Sequence, residues 1–233
     1  MIYVTGDYHG GWDKAKFTCS NNILPKEGDY LIICGDFGCV WYPEDNEYHY
    51  CDIEEQNWFA AQPWTTLFVD GNHENFDILN TYPIEEWNGG KIHKINDKVI
   101  HLIRGQVFTI EGQKIFTMGG AESHDKEIRM EFIDWWRQEM PSKAEMDAAL
   151  NELEKNNWKV DYIITHAQPS YVTKKIVPPS TCNPNSLMTF FDYIKDILDY
   201  KHWYSGHLHE DKTIGDITVL YKKIIPLGSI ITD

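Results

Sequence analysis

Short apolar runs that break off at Gly, Asp, Asn or His constrain this chain most. Ile2–Thr5 leads into Gly6-Asp7, Tyr30–Cys34 into Gly35-Asp36, Thr66–Val69 into Asp70-Gly71-Asn72-His73, and Tyr162–Thr165 into His166. Uninterrupted apolar runs of this length suit strands buried on both faces. The edge where such strands end is the ligand-binding edge of an α/β sheet. Packing alone has no use for polar residues at those ends, so the pattern predicts a sheet protein with its chemistry along one edge.

More strands are expected between Ile92 and Met118, at Ile92–Ile95, Val99–Ile103, Val107–Ile110 and Lys114–Met118, with Glu111-Gly112 as a hairpin turn between the last two. The tail from Ile217 to Ile225 offers one or two further strands. Ser142 and Glu145 have capping-box spacing ahead of Met146, Ala149, Leu150 and Leu153, which predicts a helix over 143–156. Leu187, Phe190, Phe191, Ile194 and Ile197 predict a second over Ser186–Leu198, and 44–60 is read as a third. No linker, repeat or low-complexity tract divides the 233 residues, so one domain spanning 1–233 is expected.

The formal charge of −15 sets up a field that repels polyanions, which argues against long duplex nucleic acid or an anionic membrane as partners. No apolar run approaches membrane-spanning length. Five cysteines (Cys19, Cys34, Cys39, Cys51, Cys182) form no C-x-x-C pair and are odd in number, which favours free thiols in a reducing compartment. The opening Met-Ile-Tyr-Val-Thr-Gly-Asp enters a strand directly, with no signal peptide, so a cytoplasmic protein is expected. Nine Trp and thirteen Tyr are assigned mostly to core and cleft lining. Nothing in the sequence speaks to oligomeric state.

Five of the ten His fall at the strand ends or in Gly206-His207-Leu208-His209, together with Asp7, Asp36 and Asn72. Mixed imidazole and carboxylate ligands suit borderline first-row metals better than calcium or magnesium. Asp7-x-His9 and His207-x-His209 are i, i+2 pairs, which in extended backbone project to one side and give two ligands from one segment.

These blocks resemble the signature of the calcineurin-like metallophosphoesterases: D-x-H, G-D, G-N-H-[DE], H and G-H-x-H, in that order. All are present, as Asp7-Tyr8-His9, Gly35-Asp36, Gly71-Asn72-His73-Glu74, His166 and Gly206-His207-Leu208-His209, spanning 6–209. The resemblance implies a four-layer α/β/β/α sandwich, two mixed β-sheets flanked by helices. It further implies two divalent metal ions, with manganese favoured and iron, zinc, cobalt or nickel as alternatives. Asp7, His9, His209 and Asp36 would hold one ion, and Asp36, Asn72, His166 and His207 the other. A hydroxide bridging the two would attack phosphorus, with His73 protonating the leaving oxygen.

The chain departs from the protein-phosphatase branch in two places. Gly35-Asp36-Phe37-Gly38 lacks that branch's following Asp-Arg, and Asp70 stands where it has Arg. Small phosphorylated substrates or nucleotides are therefore expected, as phosphomonoesters or phosphodiesters. A serine/threonine-type protein phosphatase, a nucleotide pyrophosphohydrolase and a non-catalytic scaffold of the same fold are the alternatives. Replacement phosphate ligands are sought in 119–140, read as a lid carrying His124, Lys126 and Arg129, and at Arg104. Neither Glu74 nor Asp70 is assigned as the orienting partner of His73. His49, His93, His101 and His202 are read as surface residues or ordinary hydrogen-bonding groups, and Cys34 and Cys39 as packing. Asp36-Phe37-Gly38 spells a kinase metal motif without the accompanying Gly-rich loop, and Ser123 lies outside any G-x-S-x-G elbow, so neither chemistry is carried forward.

Overall fold

A computed structural model describes residues 1–178 and 184–232. The chain opens with β1 (Ile2–Thr5), β2 (Tyr30–Ile33), α1 (His49–Ala60), β3 (Thr65–Phe68) and α2 (Phe76–Leu79). Five strands follow, antiparallel as β4–β5–β6 and as β7–β8: β4 (Ile84–Trp87), β5 (Gly90–Asn96), β6 (Val99–Leu102), β7 (Gln106–Ile110) and β8 (Gln113–Met118). The remainder is α3 (Lys143–Lys155), β9 (Tyr162–Thr165), α4 (Ser170–Ile176), α5 (Ser186–Ile197), β10 (His202–Ser205), β11 (Lys212–Ile214), β12 (Ile217–Val219) and β13 (Ile224–Pro226).

The strands form two mixed sheets. One has seven strands in the order β13-β1-β2-β3-β6-β5-β4, the other six in the order β11-β12-β10-β9-β8-β7. Alternation along each strand splits the core into layers. Ile2, Val4, Ile32, Leu67, Ile100 and Leu102 point from the first sheet onto Phe108, Ile110, Ile115, Ile164 and Tyr204 of the second. Tyr3, Leu31, Ile33 and Phe68 point the other way, onto Phe59 of α1. Phe116, Ile163 and Trp203 pack outward against Leu153 of α3 and Phe191 of α5. The result is the α/β/β/α sandwich of two mixed sheets with flanking helices that the resemblance implies.

Two parallel sets of strands place the site. β1, β2 and β3 run parallel with flush ends, Thr5 opposite Ile33 and Ile33 opposite Phe68. β9 and β10 run parallel in the other sheet. The loops leaving these five strands carry Asp7, Asp36, Asn72, His166 and His207.

The predicted strands and the 111–112 turn are present, with Glu111 and Gly112 both at positive φ, as a tight hairpin requires. The capping box at Ser142–Glu145 is complete, with both reciprocal hydrogen bonds formed. The third helix begins at His49 rather than 44, because Asn46 Oδ1 accepts from the Tyr48 amide and closes a turn ahead of it. β4, β10, β11, α2 and α4 lay beyond the sequence reading. β4 is an exposed edge strand with two glutamates, and the four-residue α2 is fixed mainly by its Asn75 cap. His93, His101 and His202 are buried, not on the surface, and His93 and His101 share a hydrogen bond of 3.1 Å. Among the described residues Cys19, Cys34, Cys39 and Cys51 are free thiols, whereas Cys182 lies outside them. No helix of the described residues is long and apolar enough to cross a membrane.

Candidate metal centre

Asp36 stands at the middle of the strand-end cluster. Its φ is 50°, a left-handed conformation that Asp and Asn tolerate better than most residues. Oδ1 accepts from the His73 amide at 2.7 Å, and Oδ2 lies 3.3 Å from Nε2 of both His9 and His166. One carboxylate thus faces two imidazoles that come from different sheets.

The imidazoles are oriented from behind. His166 Nδ1 donates to the Cys34 carbonyl at 2.7 Å, which turns Nε2 inward toward Asp36 and to within 3.2 Å of Asn72 Oδ1. His9 Nδ1 pairs with Asp13 at 2.6 Å, four residues on. Asn72 Nδ2 donates to Ser123 Oγ at 3.3 Å, and the buried Glu139 carboxylate accepts from both the Ser123 hydroxyl (2.6 Å) and its amide (2.9 Å). That chain leaves the Asn72 carbonyl oxygen facing the cluster. Asp7 Oδ1 accepts from the His207 amide at 3.0 Å. Asp7 Oδ2 is fully buried and makes no hydrogen bond, although His209 Nε2 lies 3.0 Å away.

A buried carboxylate oxygen and an imidazole nitrogen converging at 3.0 Å are donor types that suit one first-row cation. Three overlapping groups bring ligand atoms within 4.8 Å of one another: Asp7, His9 and His209; Asp7, Asp36 and His166; and His9, Asp36 and His73. His207 joins none of these. Its ring lies 5.0 Å from that of His166 and 5.4 Å from that of His124.

Electrostatics express the same demand for positive charge. Burial opposes protonation of His9 and His166, yet the Asp36 and Asp7 carboxylates outweigh it and push their pKa values up to about 9 and about 10. Burial would raise the Asp36 pKa, but His166 and His9 hold it well below the usual carboxylate range. Burial and the neighbouring His166 carry His207 down to about 3, leaving it a neutral lone-pair donor. His73 is also lowered, first by burial.

Backbone geometry corrects one sequence argument. His9, His207 and His209 have φ of 52°, 69° and 52°, so the i, i+2 pairs are not in extended backbone. They project from left-handed turns just past β1 and β10. Close approach explains two of the neighbouring glycines. A Cβ on Gly35 would stand 2.1 Å from His166 Nδ1, and one on Gly71 would stand 2.0 Å from Asp36 Oδ1.

A family model for calcineurin-like phosphoesterases matches residues 1–211. The chain belongs to that family. A search of curated proteins finds no match. Among solved structures, it is similar to a Staphylococcus aureus protein described as a 5′-nucleotidase, crystallised with α-ketoglutarate, at 15% identity and a TM-score of 0.46. That alignment covers 94% of this chain and 48% of the other, so the chain spans about half that protein's length. A phosphopantetheinyl hydrolase from Mycobacterium tuberculosis aligns at 14% identity and TM-score 0.46, covering 95% of this chain and 88% of that one.

The candidate phosphate ligands are placed unevenly. Arg104 must be removed from that group: it is buried, pairs with Asp70 at 2.5 Å and donates to the Glu139 carbonyl at 3.2 Å. Asp70 also faces His101 Nε2 at 3.1 Å, so the residue standing in for the expected Arg anchors a buried ionic network. Lys126 is exposed and paired with Glu122. Arg129 is held by Asp125 (2.7 Å) and the Asp134 carbonyl (3.1 Å), and its charge contributes to lowering the His73 pKa. Within 119–140 the ends are pinned by Ser123, Glu139 and the buried Trp136, while Ile128, Met130, Phe132 and Ile133 between them are exposed.

Glu74 does not orient His73 either. Its buried carboxylate accepts from the Phe37 and Gly38 amides and shapes the turn after Asp36. Sequence reasoning missed Asp13, Ser123 and Glu139. Only Asp13, at i+4 from His9, left a local signal.

Proposed function

We propose that the cluster holds two divalent cations and that the chain hydrolyses phosphomonoesters or phosphodiesters of small molecules. The observation that carries this is the pairing of Asp36 Oδ2 with two imidazoles beside the buried Asp7 Oδ2, which faces a third at 3.0 Å. Asp7, His9 and His209 would hold one ion, and His166, Asn72 and His207 the other, with Asp36 shared. Imidazole and carboxylate donors favour a borderline metal such as manganese. Bound there, the cations would supply Lewis acidity, activating water at neutral pH and offsetting phosphoryl charge.

The chain's own groups do the rest. The attacking water gives up a proton to solvent as its oxygen adds to phosphorus, the P–O ester bond breaks with its electron pair on the leaving oxygen, and the His73 imidazolium gives that oxygen its proton and is then reprotonated from solvent. Burial lowers the His73 pKa, which makes its imidazolium a stronger acid and a smaller fraction of the side chain at neutral pH. The hydrogen bond from its own amide to Asp36 ties the donor to the cluster. Ser123 and Glu139 hold Asn72 in register, and the Cys34 carbonyl fixes the His166 tautomer.

Two variants test this reading. Asp36→Asn is expected to lose bound metal, and His73→Ala to keep metal while turning over slowly. Retention of full metal and full activity by Asp36→Asn would refute the shared-carboxylate assignment.

A further inference from the structure

Beside the cluster lies a cleft of about 680 Å³, far more room than a phosphoryl group needs. His9, His73 and His209 form one end of it. Beyond them its walls carry four aromatic rings: Trp12, Trp41, Tyr42 and Tyr221.

Most of that wall is built in place. Trp41 meets the buried Trp136 edge-on at 5.3 Å, and Trp136 Nε1 donates to Asp77 at 2.8 Å. The amides of Trp41 and Tyr42 both donate to the buried Asp52 carboxylate at 2.7 Å. Tyr221 stacks on His209 at 4.5 Å and 15°, and its carbonyl accepts from the buried Lys16 ammonium at 2.6 Å. Trp12 differs, standing at the rim with 91% of its surface exposed. Three rings are thus preorganised, and the fourth has solvent room to close on a flat ligand.

Charge narrows the occupant. Among the described residues that line the cleft there is no Lys or Arg; the carboxylates are Asp13 and Asp52, one paired with His9 and the other spent on backbone amides. A polyphosphate or acidic group would find no counter-charge there, whereas a neutral ring would find stacking partners.

We infer that this aromatic wall is the subsite for the leaving group, and that the substrate is a phosphoester of an alcohol that carries a planar aromatic ring, either a nucleoside or an aryl alcohol. The inference rests on the reading of His73 as the proton donor. Because His73 lines this cleft, the departing oxygen and the group attached to it lie on the aromatic side.

Calorimetric titration of the full chain, with and without manganese, separates the cases. The probes are benzylphosphonate, a nucleoside 5′-methylenephosphonate and propylphosphonate, none of which can be hydrolysed. Stacking on two or more rings should favour the aromatic probes by about tenfold or more over propylphosphonate. Trp12→Ala, at an exposed position, should shrink that ratio several-fold, and Trp41→Phe should retain more of it than Trp41→Ala. A tighter nucleoside probe identifies a nucleobase, and a tighter benzyl probe a small aryl group. Three probes binding alike, or a ratio untouched by both alanine variants, overturns the subsite. Aromatic preference without turnover of any ester upholds the subsite and overturns the hydrolytic reading.

Discussion

Loading the metal-free protein with manganese should expel protons in a number the structure sets. At about pH 7.5 the imidazoles of His9 and His166, with pKa values raised to about 9 and about 10, each carry a proton when no cation is bound. A metal ligand must be the neutral imidazole, so both protons leave as the ions enter. His207, at about 3, is already neutral and contributes none. The combined affinity for two ions should therefore rise about 100-fold per pH unit between roughly pH 6.5 and 9, and flatten above about 10.

The same shifts act on folding with the opposite sign. A raised imidazole pKa stabilises the metal-free fold fully below the unfolded value near 6.5, and that contribution is lost as pH climbs through about 9 and 10. For His9 alone it is on the order of 3 kcal/mol. Calorimetry in two buffers of different ionisation enthalpy counts the protons, and denaturant melts of the metal-free chain follow the stability. Release of fewer than one proton for two ions bound, or an affinity that does not change with pH, would refute the placement of His9 and His166 as charged partners of Asp36.

Two further perturbations probe the supporting structure. Ser123→Ala removes the acceptor of the Asn72 amide and leaves the buried Glu139 carboxylate one hydrogen bond short, so stability should fall by about 1–3 kcal/mol and metal affinity by about tenfold. Denaturant melts and metal titration of the variant check both figures, and an unchanged metal affinity would show that Asn72 needs no such support. Gly71→Ala would put a methyl group 2.0 Å from Asp36 Oδ1, so the variant should bind far less metal even where it folds, as metal analysis of the purified variant would show.

The sequence carried the plan of the site better than its conformation. Runs such as Tyr30–Cys34 and Tyr162–Thr165 announced buried strands because continuous apolar residues have few other places to go. The polar blocks at their ends then converged because β1, β2 and β3 are parallel and in flush register. What stayed hidden was set by contacts distant in the chain. Ser123 meets Asn72 across 51 residues, and Arg104 looks like a phosphate ligand until Asp70 and the Glu139 carbonyl are seen to claim it. The i, i+2 spacing of the His pairs suggested extended backbone, but spacing does not encode φ, and the left-handed turns at His9, His207 and His209 came only with the fold. β10 escaped notice because its His202-Trp-Tyr-Ser sequence reads as neither an apolar run nor an alternation, although all four residues are buried between β9 and β12.

Metal analysis of the purified protein, joined to a rate screen with manganese across phosphomonoesters, phosphodiesters and pyrophosphates, tests the central claim most directly. Two divalent ions per chain and turnover of small phosphoesters are the expected result. A protein that binds no metal and hydrolyses none of these esters, with Asp7, His9, Asp36, Asn72, His166, His207 and His209 intact, would contradict it.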